Sequence, residues 1–145
     1  MVNKKIVTIF LLLFLITSTI SCVYADDDDR SYSITQALVD IIVDTNGMLH
    51  INETFDYSFD GTFNGVYRDI PLKEGESISN IHVSAEGAYT KVEQHQEDGT
   101  QHIKIYLYSD AAKTQPISDT NVKVHISYDM KNVVTVYQDT ASLQY

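Results

Sequence analysis

The feature that most constrains the fold is an alternating run between residues 49 and 59. Its apolar members are Leu49, Ile51, Phe55, Tyr57 and Phe59, and its polar members are His50, Asn52, Thr54, Asp56 and Ser58. A period of two residues is typical of a β-strand, whose alternate side chains point to opposite faces. We therefore predict a strand with one buried face and one hydrated face. One inward position of this strand is occupied by a carboxylate, Glu53.

Further strand-like segments follow this pattern along the chain. They are Tyr32–Val43, Ser77–Ala85, Tyr89–Gln94, Thr100–Tyr108, Asn121–Met130 and Val133–Gln138. Turn signals at Asn46-Gly47 and Asp98-Gly99 predict antiparallel hairpins. No helical period appears after the N-terminal segment. These features predict one all-β domain over residues 31–145, an immunoglobulin-like antiparallel β-sandwich. Tyr89–Gln94 is the weakest segment, and we interpret it as an edge strand or a loop.

The N-terminus has the pattern of an exported protein. Lys4 and Lys5 precede an apolar core at Ile6–Ile16, and Ala25 provides a small residue for cleavage, which indicates a secretory signal peptide over residues 1–25. Two alternatives are an uncleaved signal anchor and a lipoprotein attached through Cys22. Residues 26–30 contain four consecutive aspartates and are predicted to be a disordered acidic N-terminus. The expected location is extracytoplasmic, either secreted or associated with the cell membrane.

Charge and cysteine content narrow the classes of partner. The chain carries a net charge of −10, which disfavours nucleic acid as a partner. Cys22 is the only cysteine and belongs to the predicted signal peptide, so the domain must be stabilised by packing and strand pairing. We expect an unidentified protein or glycan partner at the cell surface. Contact with the membrane is expected only through a signal anchor or through downstream sequence.

The sequence gives little support for catalysis. A metal site needs three or four converging ligands, and the five histidines, at His50, His82, His95, His102 and His125, lack a recognisable ligand spacing. There is no Gly-x-Ser-x-Gly nucleophile elbow. We therefore expect no catalytic residues, no metal and no cofactor, and we expect a domain that is not an enzyme.

Two surface features bear on recognition. Asn52-Glu53-Thr54 is an N-glycosylation sequon, and Asn52 faces outward in the predicted strand. The ten tyrosines and the absence of tryptophan are compatible with ordinary strand composition, but outward tyrosines such as Tyr106 also suit stacking on sugar faces. The leading hypothesis is a non-enzymatic module with a binding or structural role. The alternative is a secreted carbohydrate-binding or adhesion domain.

The segment Gly65-Val66-Tyr67-Arg68-Asp69-Ile70-Pro71 follows a glycine-bounded turn and is predicted to be a structural motif. A buried carboxylate needs a partner. We predict that Arg68 pairs with Glu53 at the edge of the core, because a guanidinium can hold a carboxylate through two bonds. Gly65 and Pro71 would fix where the arginine enters. The rival arrangement places Glu53 on a bulge facing water and pairs Arg68 with Asp69.

This motif also carries a family resemblance. Together with Asp44-x-Asn46-Gly47 and His50-Ile51-Asn52-Glu53, it resembles the N-terminal domain of the YciQ-like predicted membrane proteins, catalogued as domain of unknown function 2207. The resemblance runs from about Ser33 to the end of the chain. It implies an extracytoplasmic β domain followed by transmembrane helices, with no established biochemical function. The motif residues to which it draws attention are Glu53, Gly65, Tyr67, Arg68, Asp69 and Pro71.

Overall fold

The computed structural model describes residues 30–136 and 141–143, with side chains as far as residue 134. Every regular element in these residues is a β-strand, so the all-β prediction is confirmed. The strands are β1 (Ser31–Val43), β2 (Leu49–Asp60), β3 (Thr62–Phe63), β4 (Gly65–Pro71), β5 (Ser77–Glu86), β6 (Tyr89–Glu97), β7 (Thr100–Tyr108), β8 (Ile117–Ser118), β9 (Asn121–Lys131), β10 (Val134–Val136) and β11 (Ala141–Leu143). The predicted signal peptide and the four-aspartate run lie outside the described residues.

Two antiparallel sheets dominate the domain. The four-stranded sheet has the order β1-β2-β9-β5, and the three-stranded sheet has the order β4-β7-β6. Two further two-stranded pairings join β3 to β8 and β10 to β11. All of these pairings are antiparallel, as predicted. The immunoglobulin-like topology stays a prediction.

The core lies between the facing sides of the two sheets. Alternation decides which side chains enter it, because each strand sends every second residue inward. Its fully buried members include Leu49 and Ile51 of β2, Ile103, Ile105 and Leu107 of β7, and Val122, Val124, Ile126 and Tyr128 of β9. Residues 31–145 contain no cysteine, so packing in this core stabilises the domain without disulfides.

Strand β1 extends beyond the covered part of the core. Its residue Val39 pairs with Glu53, and Tyr32 pairs with Phe59, so both belong to the inward-facing set. Tyr32 is nevertheless 60% exposed and Val39 is 42% exposed. The three-stranded sheet is one strand narrower, and its edge strand β4 lies over β2 rather than over β1.

The structure refines several predicted boundaries and turns. Among the described residues of the first hairpin turn, only Gly47 has a positive φ, at 76°. The Asp44 side chain stabilises this turn by accepting hydrogen bonds from the Asn46 and Met48 backbone N–H groups. The weakest predicted segment is the regular edge strand β6. The sequence did not predict β4 as a strand, because glycine, two charged residues and proline interrupt its apolar pattern.

Candidate functional site

The predicted ion pair between Glu53 and Arg68 is present. Arg68 Nε donates to Glu53 Oε2, and Arg68 Nη2 donates to Glu53 Oε1, each at 2.7 Å. The Glu53 side chain is 1% exposed, while that of Arg68 is 31% exposed. The pair therefore joins the four-stranded sheet to strand β4 of the other sheet, with its anionic end in the core and its cationic end near the surface.

Tyr128 completes this arrangement, and sequence analysis missed that role. Its hydroxyl donates a hydrogen bond to Glu53 Oε1 at 2.9 Å from the adjacent strand β9. Alternation already placed Tyr128 inward, and a buried tyrosine hydroxyl usually needs a hydrogen-bond partner. That requirement was the available signal. These three hydrogen bonds hold the buried Glu53 carboxylate between β4 and β9.

The rival arrangement for Arg68 is present only as an additional contact. Arg68 Nη1 donates to the backbone carbonyl of Asp69 at 2.7 Å. The Asp69 carboxylate itself is hydrogen-bonded to His102 Nδ1 at 2.9 Å on the outer face of the three-stranded sheet. Glu53 does not face water, because it lies between Ile51 and Phe55 without a bulge in β2. The two faces of β4 therefore separate Arg68 from the Asp69 side chain.

Gly65 has a steric reason to be glycine. Its φ is +153°, and a Cβ built there would collide with the Ile105 carbonyl oxygen and would lie 2.9 Å from Tyr106 Cα. Gly65 pairs with Tyr106 at the start of β4, and Pro71 pairs with Thr100 at its end. The two residues thus bound the strand that carries Arg68 inward. Gly65 and Tyr106 also border a common open space.

That space forms part of an open cleft, which we call the tyrosine cleft. One wall contains Asn64, Gly65, Tyr67, Lys104, Tyr106 and Tyr108, and Arg30 and Tyr32 approach from the side of β1. Its volume is about 590 Å³, within the range typical of small-ligand sites. Tyr67 is 66% exposed. Two cations and no carboxylate occur among the described lining residues.

Lys104 lies between two tyrosine rings of the cleft. Its Nζ is 4.6 Å from the Tyr106 ring centroid and 5.5 Å from that of Tyr67, which are cation–π distances. Polar interaction with Tyr106, followed by that with Tyr67, raises the pKa of Lys104 above its ordinary value. Lys104 is therefore a fixed positive charge at neutral pH.

The Tyr106 hydroxyl connects the cleft to a neighbouring ion pair. It donates to Glu93 Oε2 at 3.0 Å, while Lys91 Nζ contacts Glu93 Oε1 at 2.7 Å. These bonds, first from Lys91 and then from Tyr106, hold the pKa of Glu93 below its usual value. The Tyr106 ring is thereby oriented by a contact outside the cleft, and the Glu93 carboxylate already has two partners.

The histidines do not assemble a metal site in the part of the chain that the structure describes. His50 and His125 extend from the outer face of the four-stranded sheet, whereas His102 extends from the outer face of the opposite sheet. His102 stacks on His95 with ring centroids 4.9 Å apart. His50 is hydrogen-bonded to Asp129 at 2.7 Å. The strand arrangement thus separates His102 from His50 and His125.

Asn52 is exposed on the outer face of β2, so its side chain is sterically accessible. Its neighbours across the sheet are Asp40 and Ser127. Glycosylation at this sequon stays a prediction, because accessibility alone does not establish modification.

Comparison with known proteins identifies the family. Among the described residues there is no helix that meets the length and hydropathy needed to span a bilayer. No curated protein and no solved structure is significantly similar to the chain. The family model described as "Predicted membrane protein (DUF2207) N-terminal domain" matches residues 33–145. The chain therefore belongs to the DUF2207 family of predicted membrane proteins and carries its N-terminal domain.

Proposed function

We propose that this chain supplies a non-enzymatic recognition domain on the extracytoplasmic side of the membrane, and that it binds its partner at the tyrosine cleft. The cleft is the observation that carries the proposal. It combines exposed aromatic rings with a fixed cation in a space of about 590 Å³. Such a combination of apolar surface and a few placed polar groups is characteristic of ligand sites.

The buried part of the motif supports a binding role over a catalytic one. Catalytic carboxylates need access to a substrate proton or reacting atom. Glu53 is 1% exposed and is held by Arg68 and Tyr128, so its environment suits positioning of β4. Three motif residues are exposed, namely Tyr67, Asp69 and Pro71, and Tyr67 is the one among them that lines the cleft. The motif thus combines an inward structural half with an outward recognition half.

The extracytoplasmic location is supported by the N-terminal sequence and by the family. Lys4, Lys5 and the apolar segment Ile6–Ile16 have the pattern of an export signal, and the family is one of predicted membrane proteins. Protease added to intact cells tests this part of the proposal. Digestion of the domain without lysis is expected, while protection until lysis would contradict it.

A secreted carbohydrate-binding or adhesion domain is the second candidate, and the arrangement of Tyr106 favours it. The ring of Tyr106 borders the open cleft together with Gly65, Tyr67 and Tyr108. Tyrosine rings present an apolar face together with a polar hydroxyl, which matches the mixed surface of a sugar.

Glycan-array binding by the full chain tests recognition at the cleft. We expect Tyr106→Ala to abolish binding and Tyr89→Ala to leave it unchanged. Tyr89 is a matched control, because it is also an exposed tyrosine on the outer face of the three-stranded sheet but does not line the cleft. If both variants lost glycan binding equally, or if both retained it, the proposal that the partner binds at the cleft would be wrong.

A further inference from the structure

We infer that the ligand of the tyrosine cleft is an acidic saccharide, whose carboxylate is bound by Lys104 and whose ring packs against Tyr106. This inference rests on the recognition function proposed above and specifies its ligand class. It concerns a uronic-acid or sialic-acid type of group, in which one carboxylate is attached to a sugar ring.

The charge of the cleft favours an anionic ligand. The whole chain has 20 acidic and 10 basic residues, yet Arg30 and Lys104 line the cleft and no carboxylate does so among the described lining residues. A local reversal of sign inside an acidic protein favours an anionic ligand at this place. The same overall acidity disfavours extended polyanions such as nucleic acid or an anionic bilayer, which would meet the rest of the surface.

The position of Lys104 is the second step. Its ammonium group lies within cation–π distance of both Tyr67 and Tyr106. A carboxylate that contacts Nζ from the cleft would therefore place its attached ring beside one of these aromatic faces. The strand register supports this geometry, because Lys104 pairs with Tyr67 and lies two residues from Tyr106 on the same face of β7.

The floor of the cleft is the third step. Gly65 pairs with Tyr106 and contributes no side chain above the sheet. A ring can therefore approach Tyr106 from the side of β4, while Lys91 and Glu93 flank Tyr106 on the side of β6. The open approach and the cation lie on the same surface. This juxtaposition suits a sugar ring that carries one carboxylate better than a neutral sugar.

The test is an array on which each uronic-acid or sialic-acid glycan is printed beside its methyl ester, with poly-glutamate as a charged peptide control. The full chain and its Lys104→Gln, Tyr106→Ala and Lys113→Gln variants are compared at low and high salt. Lys113 is a suitable charge control, because it is exposed and does not line the cleft. The acidic glycan is expected to bind, and esterification or Lys104→Gln to weaken binding about tenfold.

High salt is expected to weaken the acidic interaction as well, since exposed charges are screened. Lys113→Gln should have no effect. Equal binding of acid and ester, with Tyr106→Ala still disruptive, would overturn the charged ligand but leave recognition at the cleft intact. Equal binding of poly-glutamate would overturn the saccharide class. Absence of binding to every glycan would overturn both this inference and the carbohydrate candidate.

Discussion

The pair formed by Glu53 and Arg68 allows a sharp stability prediction, because its two ends differ in exposure. In Arg68→Met, the Glu53 carboxylate would keep the Tyr128 hydroxyl but would lose its cation at a position that is 1% exposed. Removing one partner of a buried pair costs about 3–5 kcal/mol. In Glu53→Gln, the Arg68 guanidinium loses its carboxylate partner but is hydrated in its place, because the Arg68 side chain is 31% exposed. We expect that variant to lose about 2 kcal/mol, the value of a charged hydrogen bond.

Urea unfolding followed by far-UV circular dichroism measures these losses, since the chain has no tryptophan for fluorescence. The double variant should lose less than the sum of the single variants, with a coupling energy of about 2 kcal/mol. The Lys91–Glu93 pair, at 2.7 Å and with side chains 55% and 50% exposed, provides a surface control. Its cycle should give a clearly smaller coupling energy, because water screens exposed charges. If the single variants at Glu53 and Arg68 each lost under about 1 kcal/mol and the double variant lost their sum, the reasoning would be refuted.

Three further predictions concern neighbouring parts of the domain. Tyr128→Phe removes the third hydrogen bond to Glu53, so we expect a loss of about 1.5–3 kcal/mol in the same urea experiment; an unchanged midpoint would contradict this. Gly65→Ala should cost about 1–3 kcal/mol more than Gly75→Ala, since both have positive φ but only Gly65 has backbone within reach of a new Cβ; equal losses would remove the steric argument. Asp119 has a pKa held below 3.8, first by the Gly61 N–H, so it stabilises the fold above that pH and loses this effect as pH falls through its lowered pKa. Asp119→Asn should therefore lower the free energy of unfolding at neutral pH, and this free energy should then fall less steeply as the pH is lowered. An unchanged dependence of stability on acidic pH would contradict the prediction.

Alternation predicted the core strands because it depends on local sequence alone. Thr100–Tyr108 was predicted with the bounds that the structure has. Strand β9 extends one residue beyond its predicted end, and β2 is shifted by one residue at both ends from the predicted Met48–Phe59. The pairing of Glu53 with Arg68 was also predictable, since a carboxylate in an inward position creates a specific requirement. In each case the prediction depended on the sequence of a single segment, either on its alternation or on an inward carboxylate that requires a partner.

Other features depend on how strands meet and could not be predicted in that way. The exposure of β1 results from the unequal widths of the two sheets, although its own sequence is as apolar as that of a buried strand. Strand β4 is stabilised by pairing with β7 rather than by its own apolar pattern. The tyrosine cleft likewise combines residues from β4 and β7 with residues near β1. Sequence analysis singled out Tyr67 and Tyr106, but it gave no indication that Lys104 lies between them.

The motif that resembles the family therefore has two faces with different roles. Arg68 faces inward and joins β4 to Glu53, while Tyr67 on the opposite face of the same strand borders Lys104. Gly65 contributes to both, because it permits close approach of β4 to β7 and lines the cleft beside Tyr106. We infer that the ion pair positions the strand on which part of the cleft is built. Variants of the pair should thus perturb recognition only to the extent that they displace β4.

The most direct test of the account is a ligand titration of the full chain with its tyrosine rings isotopically labelled for NMR, using the array's strongest acidic glycan. Resonances of Tyr67, Tyr106 and Tyr108 are expected to shift on binding, while those of Tyr128, which is buried in the core, stay in place. The shifts should be absent in Lys104→Gln at the same ligand concentration. Binding of the glycan without a shift of Tyr67, Tyr106 or Tyr108 would contradict recognition at the tyrosine cleft.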